Sequence, residues 1–432
     1  MLNNKVVKNA SWIIVCRVVQ SIVSLVIGSI TARYLGPSNY GLINYASSLV
    51  AFVVPIMQLG LSGILVREIV NAKPEEEGEI LGTALVLSFV SSLLCIVGIM
   101  SFVWLMNGNE TETIIVCALH SVVLVFQALE MIQYWFQAKL KSKYTSITML
   151  VAYVIVSIYK VYLLVTGKSV YMFALSQVID YFIIAFVLII LYNRQKSSSL
   201  RFSIERAKNM FSRSKYYIIS GMMVAIFAQT DKIMLKNMID DSAAGFYAAA
   251  CTCAGVTGFV FNAIIDSLRP KVLESKNVSQ EAFEFNVTRF YSVIIYFSLI
   301  QCIGITVFAE LIVKILYGEQ YFASVNALRL IVWYSTFSYL GSVRNVWILA
   351  EEKQKYLWVI NLSGALTNVA LNFIFIPIWG IMGAAFASLV TQIFTNVVMG
   401  FIIKPIRRNN ILMIKGLNPV PIISIIKRGI KK

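Results

Sequence analysis

Charged side chains set deep in long apolar runs are the residues of this chain best placed to do chemistry. Arg17, Glu130, Asp180 and Arg344 stand deepest, and Lys160, Asp231 and Lys232 lie inside such runs as well. A charge at the centre of a bilayer costs roughly 2.5–3.5 kcal/mol on insertion scales, so a residue kept there faces a wet cavity or a partner. Polar neighbours follow them at helical spacing. After Arg17 come Gln20, Ser21, Ser24, Gly28 and Thr31 on about one face. His120, Gln127, Glu130, Tyr134 and Gln137 keep one face over five turns. We expect Arg17, Glu130, Asp180 and Arg344 to line a cavity. Plainer readings stand beside this. Lys160, Lys232, Lys314 and Arg329 can snorkel to an interface, Asp266 and Glu310 sit near the ends of their runs, and His120 alone suits a hydrogen-bonded packing residue. As the single histidine, it leaves no multi-histidine metal site.

The elements that must position these residues are membrane spans. Of 432 residues, 58% are hydrophobic and 13% charged, against about 25% charged in soluble domains. The apolar residues form long runs, which predicts an all-α integral membrane protein with about 12 transmembrane helices. The runs fall near 11–31, 42–66, 80–105, 114–137, 145–165 and 170–192, then 216–237, 243–267, 288–315, 326–350, 356–376 and 380–403. No loop between them is long enough for a soluble catalytic domain. Of the 37 lysines and arginines, 28 fall on one set of loops and termini and three on the other. That bias predicts both termini in the cytoplasm, and it assigns the net charge of +16 to topology and anionic lipid, not to nucleic acid. Leu200, Ile204, Ala207 and Phe211, with Arg201, Glu205 and Lys208 between them, read as an amphipathic helix on the inner leaflet. The six cysteines all lie in apolar runs, which predicts packing residues and no disulfide framework.

The chain repeats itself. Trp135, Ala138, Lys141, Lys143 and Tyr144 recur in the same register as Trp347, Ala350, Lys353, Lys355 and Tyr356. Both sets sit where the fourth span of a half ends. An even number of spans per half makes the halves parallel, with a central cavity between two six-helix bundles. The expected organisation is an N-terminal bundle over 1–195, a basic amphipathic cytoplasmic linker over 196–215, a C-terminal bundle over 216–404 and a basic cytoplasmic tail over 405–432.

Arg33, Gly36 and Pro37 with Tyr40 and Gly41, together with Lys8, Trp12, Gln58, Gly60, Arg67 and Glu68, resemble the polysaccharide-exporting flippases, including O-antigen and capsule repeat-unit flippases. Physically, Gly36, Pro37 and Gly41 suit a tight turn between the first two spans, and Pro55 suits a kink or gate in the second. The resemblance implies a bacterial cytoplasmic-membrane transporter, not an enzyme. Its substrate would be an oligosaccharide repeat unit on undecaprenyl pyrophosphate, for O-antigen or capsule, moved by alternating access. Arg17, Lys160 and Arg344 would then meet the pyrophosphate, and Gln127, Glu130 and Tyr134 would complete the substrate cavity. Asp180, Asp231 or Glu130 would carry any proton or sodium coupling, with no further cofactor and no metal. A polysaccharide polymerase and a chain-length regulator would be its partners, beside membrane lipids. Three alternatives are a multidrug exporter, another lipid-linked precursor flippase of the same superfamily, whose fourteen spans fit less well, and a membrane polymerase, which lacks the domain or long loop it would need.

Overall fold

The computed structural model describes residues 4–195 and 198–419, without the side chains of 4–15 and 17. It is helical throughout the described residues. Among the described residues, nine helices are long and apolar enough to cross a membrane, or ten if the bent pair Asp241–Gly255 and Gly258–Lys276, at 43°, counts as one. Two features separate this from the dozen runs of the sequence. Helix α1 (Asn4–Met57) joins two rods across Gly36, whose backbone is non-helical at φ 74°, ψ 171°. A later helix, Ser324–Ala350, carries Arg329, Arg344 and many hydroxyl side chains, which lower its hydropathy.

Packing inverts the soluble pattern. Large apolar side chains such as Leu94, Leu105, Val165 and Ile300 are exposed, while Ser88, Ser92, His120, Ser298, Asn368 and Asn372 are buried. Only a lipid surround makes that arrangement favourable, because lipid solvates apolar side chains and cannot satisfy polar ones. The chain is a multi-pass membrane protein.

It divides into two compact units, 1–245 and 246–432. The first contains α1, α2 (Leu65–Asn71), α3 (Glu77–Asn107), and α4 (Thr111–Ser121), α5 (Val123–Glu130) and α6 (Gln133–Ala138), which together make one broken span. It continues with α7 (Ser142–Val165), α8 (Val170–Arg194), α9 (Ile204–Met238) and the first turn of α10 (Asp241–Gly255). Residues 204–211 do not form a separate surface helix. They are the end of α9, one uninterrupted helix of 35 residues. That helix packs along α1 and the turn that follows it: a Cβ on Gly221 would lie 2.8 Å from Pro55 Cβ, and one on Gly60, past the end of α1, would lie 2.5 Å from the Ser214 carbonyl. Pro55 thus meets α9 within the helical stretch of α1.

The two ends of this unit gather alternate loops, as a chain that crosses repeatedly requires. At the basic end, Arg206 meets Glu79 at 3.0 Å, Arg213 meets Glu68 at 2.8 Å and Lys139 meets Glu77 at 2.5 Å. At the opposite end, Tyr34 donates to the Lys168 carbonyl and Tyr45 to Asn107.

The second unit contains the rest of α10, α11 (Gly258–Lys276), α12 (Gln280–Leu316), α13 (Ser324–Ala350), α14 (Leu357–Trp379) and α15 (Ile381–Ile393). A π-helical turn over Phe394–Val398 leads to α16 (Met399–Ile402) and α17 (Arg407–Lys415). Arg329 pairs with Glu310 at 3.2 Å and Lys314 with Glu319 at 2.9 Å, so these four charges at the ends of runs are matched in pairs. The short α17 folds back on α12, where Tyr291 donates to Asn409 at 2.8 Å and Arg408 pairs with Glu284.

The sequence repeat has the same backbone in both units. Lys141 N–H reaches the Phe136 carbonyl and Leu140 N–H that of Gln137; Lys353 reaches Ile348 and Glu352 reaches Leu349. Both corners are helix stops with a left-handed residue, Leu140 at φ 55° and Glu352 at φ 54°. Their ion pairs are inverted in sign: Lys139 binds Glu77, whereas Glu351 binds Lys276. The corners also differ in what their glutamates hold: Glu351 has Gln280 at 3.4 Å and Lys353 at 3.6 Å beside Lys276, and Glu77 has an indole beside its lysine. Trp135 Nε1 donates to Glu77 at 2.9 Å, while the buried Trp347 Nε1 has no partner among the described residues. Glu77→Ala orphans both an ammonium and an indole N–H and should cost about 2 kcal/mol, whereas Glu351→Ala should cost about 1 kcal/mol. Thermal melting of the two variants in detergent checks the order, and equal losses would remove the indole from the explanation.

Candidate functional site

The first unit has two apolar cores. One is built around Tyr45, Leu49, Leu124, Ala128, Leu163 and Val178. The other is built around Leu65, Leu81, Ile132, Trp135, Ile184 and Tyr192. Glu130 lies between Ala128 and Ile132 of the two cores, and Asp180 between Val178 and Ile184. A polar belt therefore crosses the bundle where the cores meet. Gln127 and Glu130 come from α5, Lys160 from α7, and Asp180 and Tyr181 from α8.

Glu130 is buried, and its Oε1 accepts from Gln133 at 3.2 Å. Asp180 lies within Coulombic range of Glu130 and of Lys160. Neither carboxylate forms a contact ion pair with the lysine among the described residues. Asp180 Oδ1 and Gln127 Oε1 are buried without a hydrogen-bond partner there. Asp180 stands between a second carboxylate and an ammonium, with free acceptor oxygens beside it, an arrangement that can take up a proton or a small cation at modest cost. The helix is also irregular at this point. Ile132 bonds to Leu129, Tyr134 to Met131 and Trp135 to Ile132, three residues back instead of four. Tightened turns of this kind inside a span mark places where a helix can change register.

Toward the opposite end, His120 Nε2 lies 3.0 Å from Ser47 Oγ, and Ser47 donates to Gln177 at 3.3 Å. His120 is thus a hydrogen-bonded residue of the packed interior. Tyr134 sits one turn beyond Glu130, near Ser62, while Gln137, last of its stripe, is exposed. Asp231 is buried on α9. The Arg17 side chain lies outside the described residues.

Arg344 belongs to the second unit and is 5% exposed. Its guanidinium donates to the Thr395 carbonyl and Asn396 Oδ1, both at 2.9 Å, and to Asn345 at 3.1 Å. Thr395 and Asn396 lie in the π-helical turn, so the arginine braces an irregular backbone. No carboxylate pairs with it among the described residues.

Gly36, with φ 74°, makes the turn inside α1, and Pro37 opens the rod that follows. Gly41 serves helix packing: a Cβ there would sit 1.8 Å from the Asp241 carbonyl. Arg33 is exposed beside that turn.

Sequence reasoning missed one cluster. Lys236, 5% exposed, is held by Glu110 at 2.5 Å and Asp241 at 3.0 Å. Asn107 and Thr113 also bond Glu110, and Tyr45 bonds Asn107. Burial raises the Glu110 carboxyl, but Lys236, Thr113 and Asn107 more than reverse this and hold it below its ordinary range. The available signal was a lysine on the sparsely charged side, close in sequence to Asp240 and Asp241.

Comparison with known proteins places this geometry. The chain is 22% identical, over 88% of its length and 93% of the relative's, to a candidate O-antigen transporter of Shigella flexneri. It is also 22% identical over 43% of its length to Agl15 of Haloferax volcanii, described as a low-salt glycan biosynthesis flippase and covered over 40%. Its fold is similar to the lipid II flippase MurJ in an inward closed conformation, with TM-score 0.74 and 15% identity over 93% of this chain and 90% of that one. An inward-facing multidrug transporter of the MATE family matches with TM-score 0.67 and 14% identity, over 90% and 96%. These solved structures share the all-helical membrane fold of this chain. Residues 6–276 match the polysaccharide biosynthesis protein family, and the chain belongs to that family.

Proposed function

We propose that this protein is a flippase that moves undecaprenyl-pyrophosphate-linked oligosaccharide repeat units across the bacterial cytoplasmic membrane by alternating access, for O-antigen or capsule assembly. The observation that carries the reading is the polar belt inside a lipid-exposed bundle, in a chain of a polysaccharide biosynthesis family. Arg17, Lys160 and Arg344 supply cationic groups for a pyrophosphate, and Gln127, Glu130 and Tyr134 supply amide, carboxylate and hydroxyl groups for sugars. Glu130 and Asp180, with Asp231 on α9, are the groups for coupling to a proton or sodium gradient. Both termini lie in the cytoplasm, and a polymerase and a chain-length regulator act on the delivered units.

Deleting the gene while following surface polysaccharide and lipid-linked single repeat units tests this. Loss of polysaccharide with repeat units accumulating on the cytoplasmic leaflet is expected. Variants Arg17→Ala and Asp180→Asn that still insert should fail to restore export. The similarity to multidrug transporters favours one second reading, drug export. Intact polysaccharide with new drug sensitivity would replace the flippase by that exporter.

A further inference from the structure

The basic end of α9 carries Arg206, Lys208, Arg213 and Lys215, and the structure treats them as two kinds. Arg206 is matched by Glu79 and Glu76, and Arg213 by Glu68. Lys208 and Lys215 form no ion pair among the described residues; Lys215 only lies 5.3 Å over the Tyr216 ring. Ala207, Met210 and Ser214 are the buried face. Residues 204, 208, 211 and 215 form a separate stripe at steps of four, three and four. Along it an exposed Ile204, Lys208, Phe211 and Lys215 alternate apolar with cationic.

Length fixes the depth of this stripe. Thirty-five residues of helix span about 52 Å, against a hydrocarbon core of about 30 Å. With Lys236 near one boundary, Lys215 falls near the other, and Lys208 reaches about 10 Å beyond it. The two ammonium groups therefore stand at headgroup level. The exposed Ile219 continues toward the hydrocarbon.

Resting on the flippase reading, we propose that this stripe of α9 is the docking surface for the diphosphate headgroup of the lipid-linked substrate, before it reaches the polar belt. Lys208 and Lys215 converge on the diphosphate through flexible stems. Phe211 packs between them, and the polyprenyl chain leaves past Ile219. Charge complementarity selects a diphosphate: two unmatched cations two turns apart suit one headgroup with two phosphates better than scattered single phosphates.

The test is native mass spectrometry of the full chain in detergent with undecaprenyl diphosphate and, separately, phosphatidylglycerol. Lys208→Ala/Lys215→Ala should weaken diphosphate binding about tenfold or more and leave phosphatidylglycerol unchanged. Lys208→Arg/Lys215→Arg should retain both. Both side chains are exposed, so folding is checked by an unchanged melting temperature. Undiminished diphosphate binding overturns the proposal, and so does an equal loss of both lipids, which would make the stripe a surface for bulk anionic lipid. These outcomes leave the flippase reading standing. A wild-type chain that binds no undecaprenyl diphosphate, with polysaccharide intact after deletion, would instead sink that reading and the docking surface with it.

Discussion

Gly41→Ala is expected to cost about 3 kcal/mol or more and to lower the melting temperature of the purified protein by many degrees. Overpacking typically costs 1–3 kcal/mol when side chains can move aside, and here they cannot help. The added methyl would lie 1.8 Å from the Asp241 carbonyl oxygen and 2.7 Å from the Gly245 nitrogen, both backbone. From the other side, a Cβ on Gly245 would lie 2.1 Å from the Pro37 carbonyl. The two glycines let the backbones of α1 and α10 touch, a device common where helices have no hydrophobic drive to associate. Relief requires α10 to move away, which would also pull Asp241 from Lys236. Gly28→Ala is the matched control. It lies in the same helix with nothing within 4 Å of the added carbon, so helix propensity alone acts and favours alanine by about 1 kcal/mol. Melting curves of the two variants by fluorescence-detected size exclusion decide the matter. If Gly41→Ala melts with the wild type, α10 does not approach α1 through this glycine.

What could be read beforehand divides along physical lines. Spans were legible because each needs a run of about 20 apolar residues, and α3, with no charge between Ile80 and Met106, is the clearest. The repeated corner was legible because both copies keep the aromatic and lysine residues that hold the same helix stop. The stripe through Glu130 is a helical period in the sequence, but the span that carries it breaks into α4, α5 and α6, and Gln137 at its end is exposed. Partners were not legible, because they depend on distant segments: Lys236 and Glu110 are 126 residues apart. Nor could the tightened turns after Glu130 be foreseen, as no proline or glycine marks them. The first unit runs to residue 245, past the basic segment near 196–215. Loop length suggested a boundary there, but the glycine and proline contacts along α9 bind that helix to α1. The glycine motif suggests a turn from its residue types, and the non-helical backbone inside α1 falls at Gly36. Gly41 belongs to a helix crossing that no local pattern specifies.

Lys236→Met should lower stability by about 2 kcal/mol. Breaking a fully buried ion pair costs about 3–5 kcal/mol. The lysine side chain is 3% exposed, but Glu110 and Asp241 keep 44% and 24%, so water softens the loss. The injury lies in two carboxylates left facing each other, not in the missing ammonium. Lys236→Met/Glu110→Gln/Asp241→Asn should therefore recover about half of the loss, since an apolar residue among neutral amides leaves no unmatched charge. Acidity separates this from simple cavity formation. In the wild type Glu110 is held below its ordinary pKa of 4.5, so its contribution is present above that pH and fades as pH falls through the depressed value. Without the ammonium, Glu110 faces only a like charge, and protonating it relieves repulsion; the variant should gain stability on acidification from pH 6 toward the ordinary carboxylate range. Melting temperatures of both proteins across that interval should converge as pH falls. Parallel curves would mean that Lys236 acts by filling space, and the charge network at that end of α9 would not be what holds Asp241 in place.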